Sequence, residues 1–309
     1  MANPLTLEDQ SAYLRNRRLG LLCLLSGSIL FSCKAIVIKL AYQYAVSSIS
    51  LLGLRMAFSL PLFLLIGYYR RERSSTHGKV KRGDYVALVL LGICGYYLAS
   101  YTDFLGLRYL SAGMERLILF SYPTMVLVLQ LMIFGVPIRR VQWIAVVICY
   151  GGITLAFSGA DFSAGSNLPL GAGLILLSAL LYSAFVIGSG RLAPRLGSIR
   201  FTSMALVVAS VAVLTHVFFS GAPLLGLHYM VYVYGLIMAV FCTVIPSYLM
   251  TEGIRRLGAG DAAIVGAIGP VATIVLEYFV LGESLNLVQG LGAFLIISGV
   301  VLIGRSKGN

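Results

Sequence analysis

Charge is scarce in this chain. Of its 309 residues, only 11% are Asp, Glu, Lys or Arg. A soluble domain carries about 25%. So few charges at this length exclude a water-exposed surface, and with it a soluble enzyme. Paired cysteines are missing as well. Cys23, Cys33, Cys94, Cys149 and Cys242 all sit in apolar runs, and none forms a C-x-x-C pair. That leaves no metal-ligand spacing and no disulfide framework, and the thiols read as small packing residues. There is no G-x-x-x-x-G-K-[ST] loop, so the chain holds no recognisable ATP motor and implies no cofactor. No Ser-His-Asp or paired-carboxylate motif stands out. His216 and His228 lie near a connection between apolar runs. The chain reads as a non-enzyme; a membrane enzyme would need catalytic groups gathered at one membrane face.

What is abundant is apolar sequence: 59% of residues are hydrophobic and the mean hydropathy is +0.93. Ten runs approach the length that crosses about 30 Å of hydrocarbon. They cover 19–41, 47–69, 85–106, 109–134, 141–158, 169–190, 201–220, 229–251, 260–282 and 285–304. Each is predicted helical, because lipid offers no partner for free backbone groups. The fifth is short and could extend toward Asp161. The first is long, lacks an A-x-A cleavage site and is followed by similar runs, so it is not read as a removable signal peptide.

The net charge of +12 would fit a nucleic-acid binder until the basic residues are located. Arg15, Arg17, Arg18, Arg70, Arg71, Arg73, Lys79, Lys81, Arg82, Arg139, Arg140, Arg191, Arg195, Arg200, Arg255, Arg256, Arg305 and Lys307 fall in the two tails and in alternate connections, 18 in all. The opposite connections hold Arg108 alone. This asymmetry places both tails in the cytoplasm and removes the case for nucleic acid.

The chain also repeats itself. SYTDFLGLRYLSAG (Ser100–Gly113) matches SYLMTEGIRRLGAG (Ser247–Gly260) at an offset of 147. The match continues without a gap through Pro123 and Pro270, Gly135 and Gly282, Gln142 and Gln289, and Gly152 and Gly299. The front halves agree more weakly, LLS and KLA near Leu24 and Lys39 resembling LLS and RLA near Leu176 and Arg191. Two units of five spans follow, 19–158 and 169–304. An odd number of spans per unit makes the copies point oppositely across the membrane, the inverted repeat of many secondary transporters. The expected fold is therefore an all-α polytopic membrane protein of ten transmembrane helices in two inverted five-helix repeats.

GYYLASYTDFLGLRYLSAGMERLILFSYPTMVLVLQ (Gly95–Gln130) resembles the EamA half-domain of the drug/metabolite transporter superfamily. So does Gly258–Gly304, with LGE at Leu281–Glu283 followed by Gln289, Gly292 and Gly299. The first half departs from the pattern, having Gly135-Val136-Pro137 where the second has Gly282-Glu283. The resemblance implies two five-helix halves in a bacterial inner (cytoplasmic) membrane. It also implies export or exchange of amino acids, other metabolites or toxic compounds.

Charges inside the spans point to a site. By helical rise, Lys34 lies about 10 Å, Arg55 about 12 Å, Glu115 and Arg116 about 9 Å, and Glu277 about 8 Å from the same membrane edge. Charges facing lipid are disfavoured, so these side chains should face the bundle interior or a wet cavity. The alternative is a set of structural ion pairs, such as Lys34 or Arg55 with Glu115. Lys39 and Asp103 lie nearer the edge and read as interface residues. Basic residues outnumber acidic ones in the deeper set, which favours a carboxylate-bearing solute such as an amino acid. Neutral or cationic toxic compounds, and a non-transporting membrane scaffold, are the alternative readings. Lys34 is the first candidate for the anionic group, with Glu115 its partner when the site is empty. Tyr97, Tyr122 and Tyr248 join the candidate substrate pathway, offering an apolar face and a hydroxyl. Pro123, Pro246 and Pro270 are candidate helix breaks or gates. Glu115 and Glu277 are candidates to carry protons as the coupling ion. Oligomeric state is not legible.

Overall fold

A computed structural model describes residues 7–69, 81–158, 167–266, 268–283 and 285–306. Arg70, Arg71, Arg73, Lys79, Asp161 and Lys307 lie outside the described residues. Among the described residues all regular structure is helical. The first half contains α1 (Leu7–Tyr42), α2 (Ser48–Tyr69), α3 (Arg82–Gly92), a π-helical segment (Ile93–Leu98), α4 (Ala99–Gly106), α5 (Ala112–Leu119), α6 (Tyr122–Phe134) and α7 (Arg140–Ser158). The second contains α8 (Leu168–Leu196), α9 (Ser198–Ser220), α10 (Tyr229–Ala239), a π-helical segment (Val240–Val244), α11 (Ile245–Gly266), α12 (Ile268–Leu281) and α13 (Leu287–Ser306).

Eight helical stretches among the described residues are long and apolar enough to cross a membrane, and the protein is a multi-pass membrane protein. Ile268–Leu281 and Leu287–Leu302 are apolar but shorter. At 14 residues, α12 is about 21 Å long. The expected connection after the eighth span is not a loop: α11 runs through 252–259 to Gly266. That stretch has no proline, and its Ile, Arg, Leu and Ala residues tolerate a continuous helix.

Local chemistry accounts for the ends and interruptions. Ser111 caps α5 through a side-chain oxygen that accepts from the Met114 amide at 3.2 Å. Gly135 and Gly282 follow α6 and α12 at φ of 64° and 70°, the left-handed conformation that ends a helix most readily at glycine. The two π segments also stand 147 residues apart, Ile93 against Val240. In the second, the Thr243 hydroxyl donates to the Met238 carbonyl at 2.8 Å, occupying an acceptor in the widened turn. Pro246 sits just beyond it, whereas Ala99 holds the matching place in the first half. Proline is therefore not what widens the helix.

Helices pair mostly across the two halves. α1 lies along α11 and α12, α2 along α9 and α10, α8 along α4 and α6, and α7 along α13. One apolar cluster joins α1, α2 and α4 to α9 and α10, through Ile38, Leu52, Phe104, Val213 and Val231 among others. The first nine residues of α2, Ser48–Met56, are all buried. The α7–α13 seam is made by small residues. A Cβ on Gly152 would come within 2.8 Å of the Gly292 carbonyl, and one on Gly292 within 2.6 Å of the Ala156 amide nitrogen. Backbones can approach this closely only without side chains between them.

Gly292→Ala is expected to destabilise the protein by about 1–3 kcal/mol, because the obstructing atoms are backbone and cannot rotate away. Thermal unfolding in detergent should show a lower melting temperature than for Gly151→Ala, where a Cβ meets nothing within 4 Å.

Candidate functional site

The charged residues of the spans converge on one layer, beside the turns that join α1 to α2 and α4 to α5. Lys34 on α1 is its hub. Its ammonium lies 2.6 Å from Asp103 Oδ2 on α4 and 3.9 Å from Glu115 Oε1 on α5. The Lys34 side chain is 14% exposed, while those of Asp103 and Glu115 are 2% and 0% exposed. Asp103 therefore does not occupy the membrane edge expected of it. It is buried and holds the shorter bond to Lys34, with Glu115 further off. Asp103 stands in the last turn of α4 and Glu115 in the first turn of α5, so the short turn at Leu107–Ser111 keeps both carboxyl groups within reach of one ammonium.

Arg55 enters the same layer from α2 and is 4% exposed. Its Nη2 donates to the Ser100 hydroxyl at 3.0 Å, and its guanidinium lies 5.1 Å from the Phe104 ring centre. Ser100, Asp103 and Phe104 are spaced three and four apart, so they share one face of α4. That spacing was the available signal for Asp103. Glu277 reaches across from α12 and accepts from the Gly113 amide at 2.8 Å. A carboxylate at the first turn of α5 suits the positive end of the helix. A Cβ on Gly113 would lie 2.3 Å from Glu277 Oε2, so glycine is what allows this tie between the halves.

Arg116 behaves differently. Among the described residues it makes no ion pair and no hydrogen bond, although its Nε is fully enclosed. Asp103 Oδ1, both Glu115 oxygens, Glu277 Oε1, Arg55 Nε and Ser121 Oγ are also buried without a hydrogen-bond partner. Buried polar atoms normally find partners. A group of unsatisfied donors and acceptors around one layer can exchange partners with a solute or a proton.

The remaining candidates occupy separate places. Tyr97 shares a hydrogen bond with His216 Nδ1 at 2.9 Å, and Tyr101 packs edge-on against the same imidazole. Tyr122 begins α6 and meets Tyr182 with ring centres 5.1 Å apart. Tyr248 shares a hydrogen bond with Ser203 at 2.7 Å, near Phe63 and away from Lys34. Pro123 does not break a helix from within. It occupies the first turn of α6, where its missing amide hydrogen does no harm, and the interruption lies at Phe120–Ser121. Pro270 sits in the first turn of α12 and Pro246 in that of α11, both buried. Beside Pro270, the Gly269 carbonyl accepts from Ser32 on α1 at 2.9 Å. The five cysteines are free thiols.

Apolar helices of this length around a charged interior are those of a polytopic membrane protein. The chain belongs to the EamA-like transporter family, which matches residues 18–158 and again 169–305. It is 34% identical to the uncharacterized transporter YcbK of Bacillus subtilis over 95% of this chain and 96% of that one. It is 23% identical to the uncharacterized transporter sll1319 of Synechocystis, covering 94% of each. A 24% match over 57% of this chain and 56% of the other is to the uncharacterized inner membrane transporter YedA of Escherichia coli. A solved crystal structure shares the fold, with a TM-score of 0.63 and 17% identity over 94% of this chain and 99% of that one.

Lys34→Met would leave two carboxyl groups buried without their cation. We expect it to lower stability by about 3–5 kcal/mol. Adding Asp103→Asn should recover part of the loss, which a double-mutant cycle of unfolding midpoints in detergent would measure.

Proposed function

We propose that the protein is a secondary transporter of small metabolites, built as two inverted five-helix repeats and working by alternating access. Its substrates are amino acids or other carboxylate-bearing solutes, and its direction is export or exchange. The two repeats span 19–158 and 169–304, with ten membrane crossings and both tails cytoplasmic. The contact pattern supports the repeat. Exchanging the halves turns the α1–α11 pairing into the α8–α4 pairing and α1–α12 into α8–α6, and leaves α2–α9 and α7–α13 unchanged. The π segments and the left-handed glycines recur at the same offset of 147. The inner-membrane assignment is supported by the name of the Escherichia coli relative.

One observation carries the transport reading. The buried layer combines charges from both halves, Lys34, Arg55, Asp103, Glu115 and Arg116 with Glu277, and many of its polar atoms are unsatisfied. A scaffold has no use for such a layer, since a closed apolar core is more stable than an incompletely satisfied polar one. The pathway comprises Lys34, Arg55, Glu115, Arg116 and Glu277 with Tyr97, Tyr122 and Tyr248, and the starts of α6, α11 and α12 at Pro123, Pro246 and Pro270 flank it. Protons are the proposed coupling ion, with Glu115 the carrier closest to the cation. The free oxygens of Asp103 and Glu115 favour a second reading, export of cationic compounds.

Counterflow in proteoliposomes loaded with amino acids, organic acids or cationic drugs is the test. Exchange of at least one carboxylate-bearing solute is expected. Exchange of cations alone would transfer the assignment to the second reading, and no exchange across the panel would overturn transport. An imposed proton gradient should accelerate uptake by the native protein and not by Glu115→Gln. For topology, Ser75→Cys in a cysteine-free background should react with an impermeant maleimide only after the membrane is permeabilised.

A further inference from the structure

We propose that Arg116 anchors one carboxylate of the transported solute, in a subsite at the seam of α5, α1 and α12. This rests on the transporter reading and selects, among the buried cations, the one that is free to serve. Lys34 is answered by Asp103 at 2.6 Å and Glu115 at 3.9 Å. Arg55 is 4% exposed and engaged by Ser100 and the Phe104 ring. Lys39 stands in the last turn of α1, outside the layer. Within the layer, Arg116 alone has neither an ion pair nor a hydrogen bond among the described residues. Glu115, one residue earlier, is turned about 100° away on the helix, toward Lys34.

The guanidinium lies where three elements meet. The residue is partly accessible, while its Nε is enclosed without an acceptor. Gly269 faces it from the first turn of α12. A Cβ there would lie 3.2 Å from Arg116 Nη2 and 3.4 Å from Ser32 Oγ, so glycine lets the first turn of α12 approach the guanidinium closely. Ser121, 0% exposed and with an unpartnered hydroxyl, lies at the interruption between α5 and α6. Tyr122, at the start of α6, meets Tyr182 with ring centres 5.1 Å apart. One planar guanidinium among tyrosines and small residues matches one carboxylate, which it can hold through two parallel N–H···O bonds. The subsite lies between a helix of the first half and the start of α12 in the second, where a bound carboxylate bears on their relative position.

Binding to the purified full chain in detergent tests this, read as ligand-dependent thermal stabilisation. The probes are isovalerate, succinate, L-leucine and L-glutamate, each beside its amide. At least one carboxylate should stabilise the native protein and its amide should bind more weakly. Arg116→Gln should weaken the carboxylate ~30-fold or more and leave the amide within about threefold. Arg116→Lys should restore part of the affinity, having the charge without the fork. Should Arg116→Gln fail to fold, Gly269→Ala keeps the charge while placing a Cβ 3.2 Å from Nη2, and a selective loss of carboxylate affinity is expected. Carboxylate binding unchanged in Arg116→Gln or Gly269→Ala, or a native protein that binds only amides, would overturn the subsite. Counterflow separates the two readings. Exchange of neutral or cationic solutes without carboxylate binding removes the subsite and leaves the transporter. Carboxylate binding that depends on Arg116, without exchange of any solute, does the reverse.

Discussion

An ammonium inside a bilayer keeps its charge only if protein replaces the water it has lost. Lys34 meets that condition through carboxyl groups from two other helices, Asp103 on α4 and Glu115 on α5. Much of the central arrangement follows from this requirement. Asp103 in the last turn of α4 and Glu115 in the first turn of α5 flank one short turn, within reach of Lys34 on α1. Ser111 supports the turn by capping α5. Glu277 then ties the start of the same helix to α12 through the Gly113 amide. A polar line thus runs from α1 through α4 and α5 to α12, joining the two halves at mid-bundle.

The rest of the bundle is held by different means. Along α7 and α13, glycine and alanine let two backbones touch, and packing alone fastens the pair. In the apolar cluster of α1, α2, α4, α9 and α10, close-packed side chains do the same. These contacts leave little freedom for rearrangement, since interiors packed this closely do not deform gradually. The polar layer is the opposite case. Its bonds can be traded, because several buried donors and acceptors have no hydrogen-bond partner among the described residues.

Much of this was legible in the residues. Scarce charge and repeated apolar runs required helices in lipid, for which there is a single local solution to backbone hydrogen bonding. The offset of 147 anticipated paired features, and it also relates the two π segments, which no composition signal marked. Span ends were less legible. Hydropathy places a connection at 252–259, yet helix-compatible residues let α11 continue through it. Pro123 suggested a mid-span break, and the helix is interrupted at Phe120–Ser121 just before it, with the proline in the first turn of the next helix.

The sequence by itself determined the class of environment, the helical content and the set of charges that had to be hidden. Those follow from transfer free energies and backbone chemistry, which act residue by residue. Only the tertiary structure decided which charges meet. Asp103 lies near a span end by counting, yet it is buried and paired with Lys34. Lys34 had a partner to find in either carboxylate and found both. Arg116 and Glu115 are neighbours in the chain, and helical geometry sends them in different directions. Glu115 joins the ion-paired cluster, and Arg116, among the described residues, makes no ion pair. Pairing in a low-dielectric interior depends on distances of a few ångströms between helices far apart in the chain, and hydropathy carries no record of those distances.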